Sequence, residues 1–296
     1  MKKAVILINA YANGASELYQ SERLKTELSA LGVSTGIVRN FLTAGVAAGE
    51  AVRMLDADFC VYLDKDKYAG ELLERAGMRL LNRPRAVAAC DDKMATLIAL
   101  AGNGIPVPDT YAAPLCYTLG AKVPKSYLRE IGQKLGFPLV VKTCYGSLGK
   151  GVFKADDWSE LYKIAQELRG MPHLFQKFVA SSAGRDVRVL VIGGKYFSAM
   201  LRTSACDFRS NLELGGHGEP FEPDGRTRSL CEKVASLLEL DYCGIDLLFS
   251  DEGFTVCEVN SNAFFGGMER VTGKNVAKAY AEYILRIFLL FLRASR

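Results

Sequence analysis

The sequence predicts an α/β N-terminal region followed by α+β segments, and three observations carry that reading. Short apolar runs alternate with amphipathic stretches up to about residue 83, as strands and helices do around an open, largely parallel sheet. The pattern changes after Asn82-Arg83-Pro84. The last third contains two hairpin candidates, 186–202 and 244–260.

In order, Ala4 to Ile8 reads as a buried first strand, and Ser16 is placed to cap a helix running to about Leu31. Gly32 ends that helix and Val33 to Val38 forms a second strand. Phe59 to Leu63 is a third, Glu71 to Ala76 a short helix, and Met78 to Leu81 a fourth strand. The first strand-to-helix turn, Asn9 to Gly14, is not GxGxxG, so a dinucleotide fingerprint is absent. Asp91 or Asp92 caps a helix through Ala101. Beyond it, Val107 to Ala113, Pro138 to Thr143 and Gly151 to Lys154 read as strands, with helices over Ser126 to Leu135 and Trp158 to Leu168. Asp186 to Ile192 turns at Gly193-Gly194-Lys195 and returns through Tyr196 to Arg202. Gly244 to Phe249 turns at Asp251-Glu252-Gly253 and returns through Phe254 to Asn260, and a helix from Asn275 to Arg293 follows.

Composition excludes several classes. The 296 residues carry 37 Lys+Arg against 33 Asp+Glu, an interleaved excess of +4 that gives no nucleic-acid arm. None of the eight cysteines forms a CxxC pair, and most sit among apolar neighbours as buried, reduced thiols. Ala4 to Ile8 is too short for a signal h-region and Asn9 stops it, and the apolar stretch Ile284 to Leu292 is interrupted by Arg286. A soluble, cytoplasmic protein without a membrane span is expected. That last apolar face reads either as core or as the interface of a homo-oligomer. With only His173 and His217, a His-ligated zinc centre or a His-based triad is not expected; His173 reads as structural, while His217, in the glycine-rich loop, could meet a substrate.

Four segments carry chemistry. If Ser250 pairs with Phe254 across the second turn, Asp246 lies opposite Glu258, and Asn260 shares their face because strand side chains alternate. Opposed carboxylates call for positive charge between them, and a hard cation such as Mg²⁺ suits oxygen donors; solvent-facing acids on an edge hairpin are the alternative. Gly146, Gly149 and Gly151, with Ser147, Lys142 and Lys150, make a loop whose backbone N–H groups could wrap an anion, although it is not a Walker A loop; a plain glycine turn is the alternative. Gln176-Lys177-Phe178-Val179 could flank a flat base and Asp186 could meet ribose hydroxyls, unless they are simply a strand and a loop. Arg202, with Arg209-Ser210-Asn211 near Gly215-Gly216, suits carboxylate or phosphate recognition; a solvated basic loop is the alternative.

Taken in order, these segments resemble the ATP-grasp superfamily, and residues 90–290 resemble its RimK-type carboxylate–amine ligases. The matching residues are Asp92-Lys93, Gly104 to Pro108, Phe137 to Lys142, the glycine loop, Gly184 to Val191, Asp207 to Asn211, Gly244-Ile245-Asp246, Glu258 to Asn262 and Val271-Thr272-Gly273. The resemblance implies an ATP-grasp fold: an N-terminal α/β pre-domain over 1–83, a central subdomain over 84–174 and a C-terminal subdomain over 175–296, the last two enclosing ATP. It implies that Lys93 and Lys142 hold phosphates under the glycine loop, that Gln176 to Val179 line the base and Asp186 the ribose, and that Arg209 to Asn211 complete the phosphate side. It further implies two Mg²⁺ ions (Mn²⁺ being the alternative) on Asp246, Glu258 and Asn260. The activity implied is amide formation from a carboxylate and an amine through an acylphosphate, with Arg202 stabilising the tetrahedral intermediate. A nucleotide-binding module without ligation and a phosphotransferase are the rival readings. Lys177 replaces the usual acid of the hinge, Asn260 to Gly267 departs from Asn-x-Ser-Pro-Gly, and Leu212 to Gly216 lacks a common basic residue. Glutamate as the added amino acid therefore does not follow from the resemblance.

Overall fold

A computed structural model describes residues 2–41, 55–118 and 120–294. Three sheets organise them. The first is parallel, in the order β2-β1-β3-β4, from β1 (Lys2–Ile8), β2 (Val33–Arg39), β3 (Phe59–Leu63) and β4 (Leu80–Leu81). Both of its faces are covered, which explains the unbroken apolar run of β1: Ala4, Ile6 and Ile8 enter one core while Val5 and Leu7 enter another. Helix α1 (Ala15–Ala30) begins one residue before the expected cap Ser16. Gly14 is the cap instead, and its N–H donates to Glu17 Oε2 at 3.0 Å. Helix α2 (Lys67–Arg75) starts earlier than Glu71 because Asp66 accepts from the Tyr68 and Ala69 N–H groups.

Pro84 begins a new segment. It occupies the first position of a helix the sequence reading missed, α3 (Pro84–Asp91), where its absent N–H costs nothing. Asp92 then caps α4 (Lys93–Ala101). The second sheet is antiparallel, in the order β5-β8-β6-β7, from β5 (Thr110–Ala112), β6 (Leu139–Thr143), β7 (Val152–Ala155) and β8 (His173–Lys177). Helices α5 (Lys125–Leu135) and α6 (Trp158–Leu168) cover one face of it through Leu128, Ile131, Leu161 and Ala165 against Leu139, Val141 and Phe175. His173 starts β8 buried, its Nδ1 2.8 Å from the Met171 carbonyl, and burial lowers its pKa.

The third sheet has the order β11-β10-β9-β12-β13, from β9 (Arg185–Ile192), β10 (Lys195–Thr203), β11 (His217–Pro220), β12 (Tyr242–Ser250) and β13 (Gly253–Asn260). One face packs Val187, Val189, Val191, Cys243 and Ile245 on α7 (Gly225–Leu237), a helix the sequence reading did not anticipate. Ala86 of α3 and Leu100 of α4 join this core. Residues 84–101 thus pack with the third sheet, and the boundary expected at 174/175 falls inside β8. The other face carries Leu190, Ile192, Met200 and Tyr242, which meet Ile6 and Ile8 of the first sheet. Short helix α8 (Gly266–Thr272) follows β13, and α9 (Val276–Ala294) buries Tyr280, Ile284 and Phe288 in the same core, so that face of the C-terminal helix is interior.

Asn82 welds the first sheet to the third. Buried at 2% exposure, it donates from Nδ2 to the carbonyls of Tyr242 (2.8 Å) and Ser261 (2.7 Å), and its Oδ1 accepts from the Asp241 and Tyr242 N–H groups. Asn82→Asp would set an oxygen against both carbonyls. A loss of about 2–3 kcal/mol in unfolding free energy is expected by urea denaturation, and an unchanged midpoint would show that the weld is not stabilising.

Candidate active site

Side-chain alternation on β6 and β8 opens the cleft. Leu139, Val141 and Phe175 turn toward α5 and α6, so Val140, Lys142 and Gln176 project from the opposite face. That face looks across an open cleft at β12 and β13. Every site residue expected from the sequence lines this cleft except Gly151 and Asn260. Asn260 lines an adjoining cavity of about 220 Å³, where the carboxyl ends of β1 and β3 (Asn9, Leu63, Asp64) meet the loop after β13. Gly151 shapes the loop from behind: its φ is +74°, and a Cβ there would lie 2.3 Å from Thr143 Oγ1. His217 lies exposed on β11, away from the cleft, and so does not meet a substrate there.

The floor of the cleft is a lattice of ion pairs on one face of the third sheet. Arg202 of β10 faces Asp186 of β9 and grips it with two bonds of 2.7 Å, from Nε to Oδ1 and Nη2 to Oδ2. Arg188, two residues along β9, faces Asp246 of β12 and donates from Nε to Oδ1 (2.7 Å) and from Nη2 to Oδ2 (2.6 Å). Arg202 Nη2 also lies 3.1 Å from Asp246 Oδ2. Burial alone would raise the Asp246 carboxyl, but Arg188 and Arg202 together outweigh it and hold it at about 2. Burial likewise opposes the charge of Arg202, and Asp246 and Asp186 more than offset that, keeping its pKa above the usual arginine value. Asp186 is thus clamped by Arg202, and each of its oxygens, having accepted one bond, keeps a lone pair toward the cleft it lines. Among the described residues, Arg202 Nη1 enters none of these bonds.

The second hairpin reaches the expected facing by an unexpected route. Ser250 pairs with Gly253 and Phe249 with Phe254, one residue tighter than predicted. A bulge between the pairs Leu247–Val256 and Asp246–Glu258 then restores the offset. The extra residue is Cys257, whose Sγ lies 3.3 Å from Lys142 Nζ at the cleft wall. Burial raises its thiol pKa despite the lysine. Cys257 was read as a buried core thiol, and only the bulge, invisible in the spacing, turns it to the site.

The glycine loop is fastened at both ends. Lys93 Nζ donates to the Gly146 carbonyl at 2.7 Å and lies 3.5 Å from Glu258 Oε1. Arg209 Nη1 donates to the Gly149 carbonyl at 2.7 Å, while its Nε and Nη2 hold Asp207, whose carboxyl the guanidinium keeps below its ordinary pKa. The positive charge called for beside Asp246 and Glu258 thus comes at least in part from Arg188, Arg202 and Lys93. Lys177 stands exposed 3.8 Å from Asp109, and Gln176 Nε2 donates to Thr110 Oγ1 at 2.9 Å. Seven cationic side chains line the cleft against three carboxylates, so the site is built for a polyanion.

Residues 90–284 match the RimK-like ATP-grasp domain, two-thirds of the chain and all of the cleft's lining. The chain belongs to the RimK-like ATP-grasp family. Among its relatives is N-acetylaspartylglutamate synthase A of Mus musculus, 38% identical over 73% of this chain; the chain spans little more than half, 56%, of that protein. A probable alpha-L-glutamate ligase of Maridesulfovibrio salexigens is 34% identical over 71% of this chain and 68% of its own length. The fold of a RimK-domain ATP-grasp protein from Sphaerobacter thermophilus superposes with a TM-score of 0.74 at 22% identity, over 95% of this chain and 98% of that one. Among the described residues, no helix of this RimK-like chain is long and apolar enough to cross a membrane.

Asp186→Asn would remove one of the two carboxylates facing a fully buried guanidinium. A loss of about 3 kcal/mol is expected in urea unfolding, at the low end for a broken buried pair because Asp246 remains. An unchanged unfolding curve would show that Asp186 does not clamp Arg202.

Proposed function

We propose that this protein is an ATP- and Mg²⁺-dependent ligase that joins a carboxylate to an amine. The observation that carries the reading is the order of chemistry along one cleft. An apolar hinge at Phe178 and Val179 opens onto lysines and the glycine loop, and these face the Asp246–Glu258 pair. In the reaction, a substrate carboxylate oxygen takes the γ-phosphoryl group, leaving ADP. An amine then bonds to the acyl carbon, phosphate departs, and the amine nitrogen loses a proton. The names of the relatives, an N-acetylaspartylglutamate synthase and a probable alpha-L-glutamate ligase, support amide formation.

The residues fit both groups. The base has Val140, Phe178, Val179 and Leu248 around it, and the phosphates have Lys93, Lys142 and the loop N–H groups. For the metal, Asp246 Oδ2 accepts from Arg188 and lies 3.1 Å from Arg202 Nη2, while Oδ1 accepts one bond and keeps a lone pair. Among the described residues, Glu258 pairs with Lys93 at 3.5 Å, and Asn260 leaves a buried amide nitrogen without a partner. The amide's ends exchange by a half-turn, so its oxygen can serve. Asp246, Glu258 and Asn260 would therefore hold Mg²⁺, with Mn²⁺ accepting the same donors, and the bound ions would neutralise charge on the transferring phosphoryl group.

The chain's own residues do the rest. Lys93 and Lys142 bind and neutralise phosphate oxygens. Arg202, held in place by Asp186 and Asp246, directs Nη1 at the oxyanion that forms when the amine attacks. No protein nucleophile is required.

ADP release measured over a panel of carboxylates, with and without amines, tests the reading. Turnover that needs both substrates supports it. Absence of ADP throughout would overturn it, and amine-independent stoichiometric turnover would make the protein a phosphotransferase. Glu258→Gln should reduce ADP formation about 100-fold or more, as should EDTA, with Mg²⁺ or Mn²⁺ restoring the wild type alone. Near-normal turnover by that variant would remove Glu258 from the metal site.

A further inference from the structure

Behind the second sheet, on the face of β8 that turns away from the cleft, lies a cavity of about 360 Å³. That volume falls at the lower end of the roughly 300–1,000 Å³ of small-molecule sites. Three rings line it: His173 and Phe175 of β8, and Tyr127 of α5. They pack edge to face, with Phe175 5.3 Å from the imidazole and 6.1 Å from the phenol ring. Residues 113–118 and 121–124, from the connection between β5 and α5, roof the cavity. That roof is fastened above the sheet. Gln166 of α6 accepts from the Val123 N–H at 3.0 Å and donates to the Ala121 carbonyl at 3.2 Å. Tyr127 Oη holds the start of the connection by donating to the Ala112 carbonyl at 3.0 Å. Leu115 and Tyr117 stand exposed at the rim, so the entrance is apolar too.

Charge in this cavity is of one sign. Arg169, just past the end of α6, and Lys122 line it, and among the described residues no carboxylate does. Arg169 Nη1 donates to the Gln166 carbonyl at 2.6 Å, a bond that leaves Nε and Nη2 unused. Among the described residues, neither cation forms a salt bridge. His173 adds no third charge. Its Nδ1 faces the Met171 carbonyl, which can only accept, so the ring proton sits there, and burial lowers the imidazole pKa. An ammonium ligand would meet two like charges. A polyanion would set its polar bulk against Phe175 and Val123. An apolar body with a single anionic end matches both the rings and the cations.

We infer that this cavity is a second binding site, for a small apolar carboxylate whose anionic end meets Arg169 and Lys122 while its body packs on His173, Phe175 and Tyr127. The inference does not depend on the ligase reading. The site stands back to back with the cleft across one strand, because His173 and Phe175 alternate along β8 with Gln176, which faces the cleft.

Calorimetric titration of the full chain with octanoate and with phenylbutyrate tests it. At least one acid should bind with a dissociation constant below about 1 mM. The corresponding primary amide and amine, which keep the body and lose the anion, should bind about tenfold more weakly or worse. Arg169→Gln should weaken the acid about tenfold and leave the amide unchanged, while Arg169→Lys should retain part of the affinity. Lys122→Gln, at an exposed position, should weaken the acid in the same direction. Thermal unfolding of each variant separates a lost contact from a lost fold. Cys116, half-buried on the cavity wall, reports the location: the bound acid should slow its labelling by N-ethylmaleimide and leave that of the exposed Cys206 unchanged. An acid bound in the cleft would not protect Cys116. Binding of neither acid, equal affinity for acid and amide, wild-type affinity in both Arg169→Gln and Lys122→Gln, or an unprotected Cys116 would each overturn the inference.

Discussion

Arg202 is 1% exposed, and a guanidinium in that position survives only because carboxylates and hydrogen bonds replace the water it gave up. Asp186 and Asp246 do so, and Arg188 balances the second of them. These four groups sum to no net charge and lie on three neighbouring strands, β10, β9 and β12. Their pairing fixes how those strands register. It also divides one sheet face in two: Leu190, Ile192, Met200 and Tyr242 dock the N-terminal sheet, while the ionic half becomes the floor of the cleft. Docking and chemistry thus share a single surface, and the position of the first sheet over the site follows from where the apolar half ends.

The cleft's other wall comes from a different sheet, and its cations are already engaged within the protein. Lys93 is shared between the Gly146 carbonyl and Glu258, Lys142 rests on Cys257, and Arg209 clasps the Gly149 carbonyl. An arriving phosphate competes with these contacts, so its binding and the position of the glycine loop are coupled. Two groups that the sequence presents separately, the loop and the metal-site acid Glu258, are linked by one ammonium.

Much of this was legible because strand alternation and turn chemistry act locally. Most strands of the three sheets and the two hairpins follow from patterns a few residues long, while β8 and β11 went unread and Asp246 faces Glu258 only because a bulge restores the expected offset. What was not legible depends on partners distant in sequence. The clamp of Arg202 on Asp186 is seen only across the ladder, and the helix that Pro84 begins is held by packing on the third sheet. The segment 225–237 gave no reading, and its helix is held by burial of Cys231 and Val234 against β9 and β12.

The two hairpins of the third sheet share a device. Ile192 pairs with Lys195, an offset that would leave Arg202 opposite Arg185, until Phe197 is passed over and Arg202 arrives opposite Asp186. Cys257 does the same for Glu258. Each bulge works as a vernier that converts the register set by a tight turn into the register the ionic row needs. Strand length at these two points is therefore a chemical variable. Loss of a single residue at 197 or 257 would turn every later side chain on that strand to the opposite face, sending the charges into the α7 core and the apolar residues into the cleft.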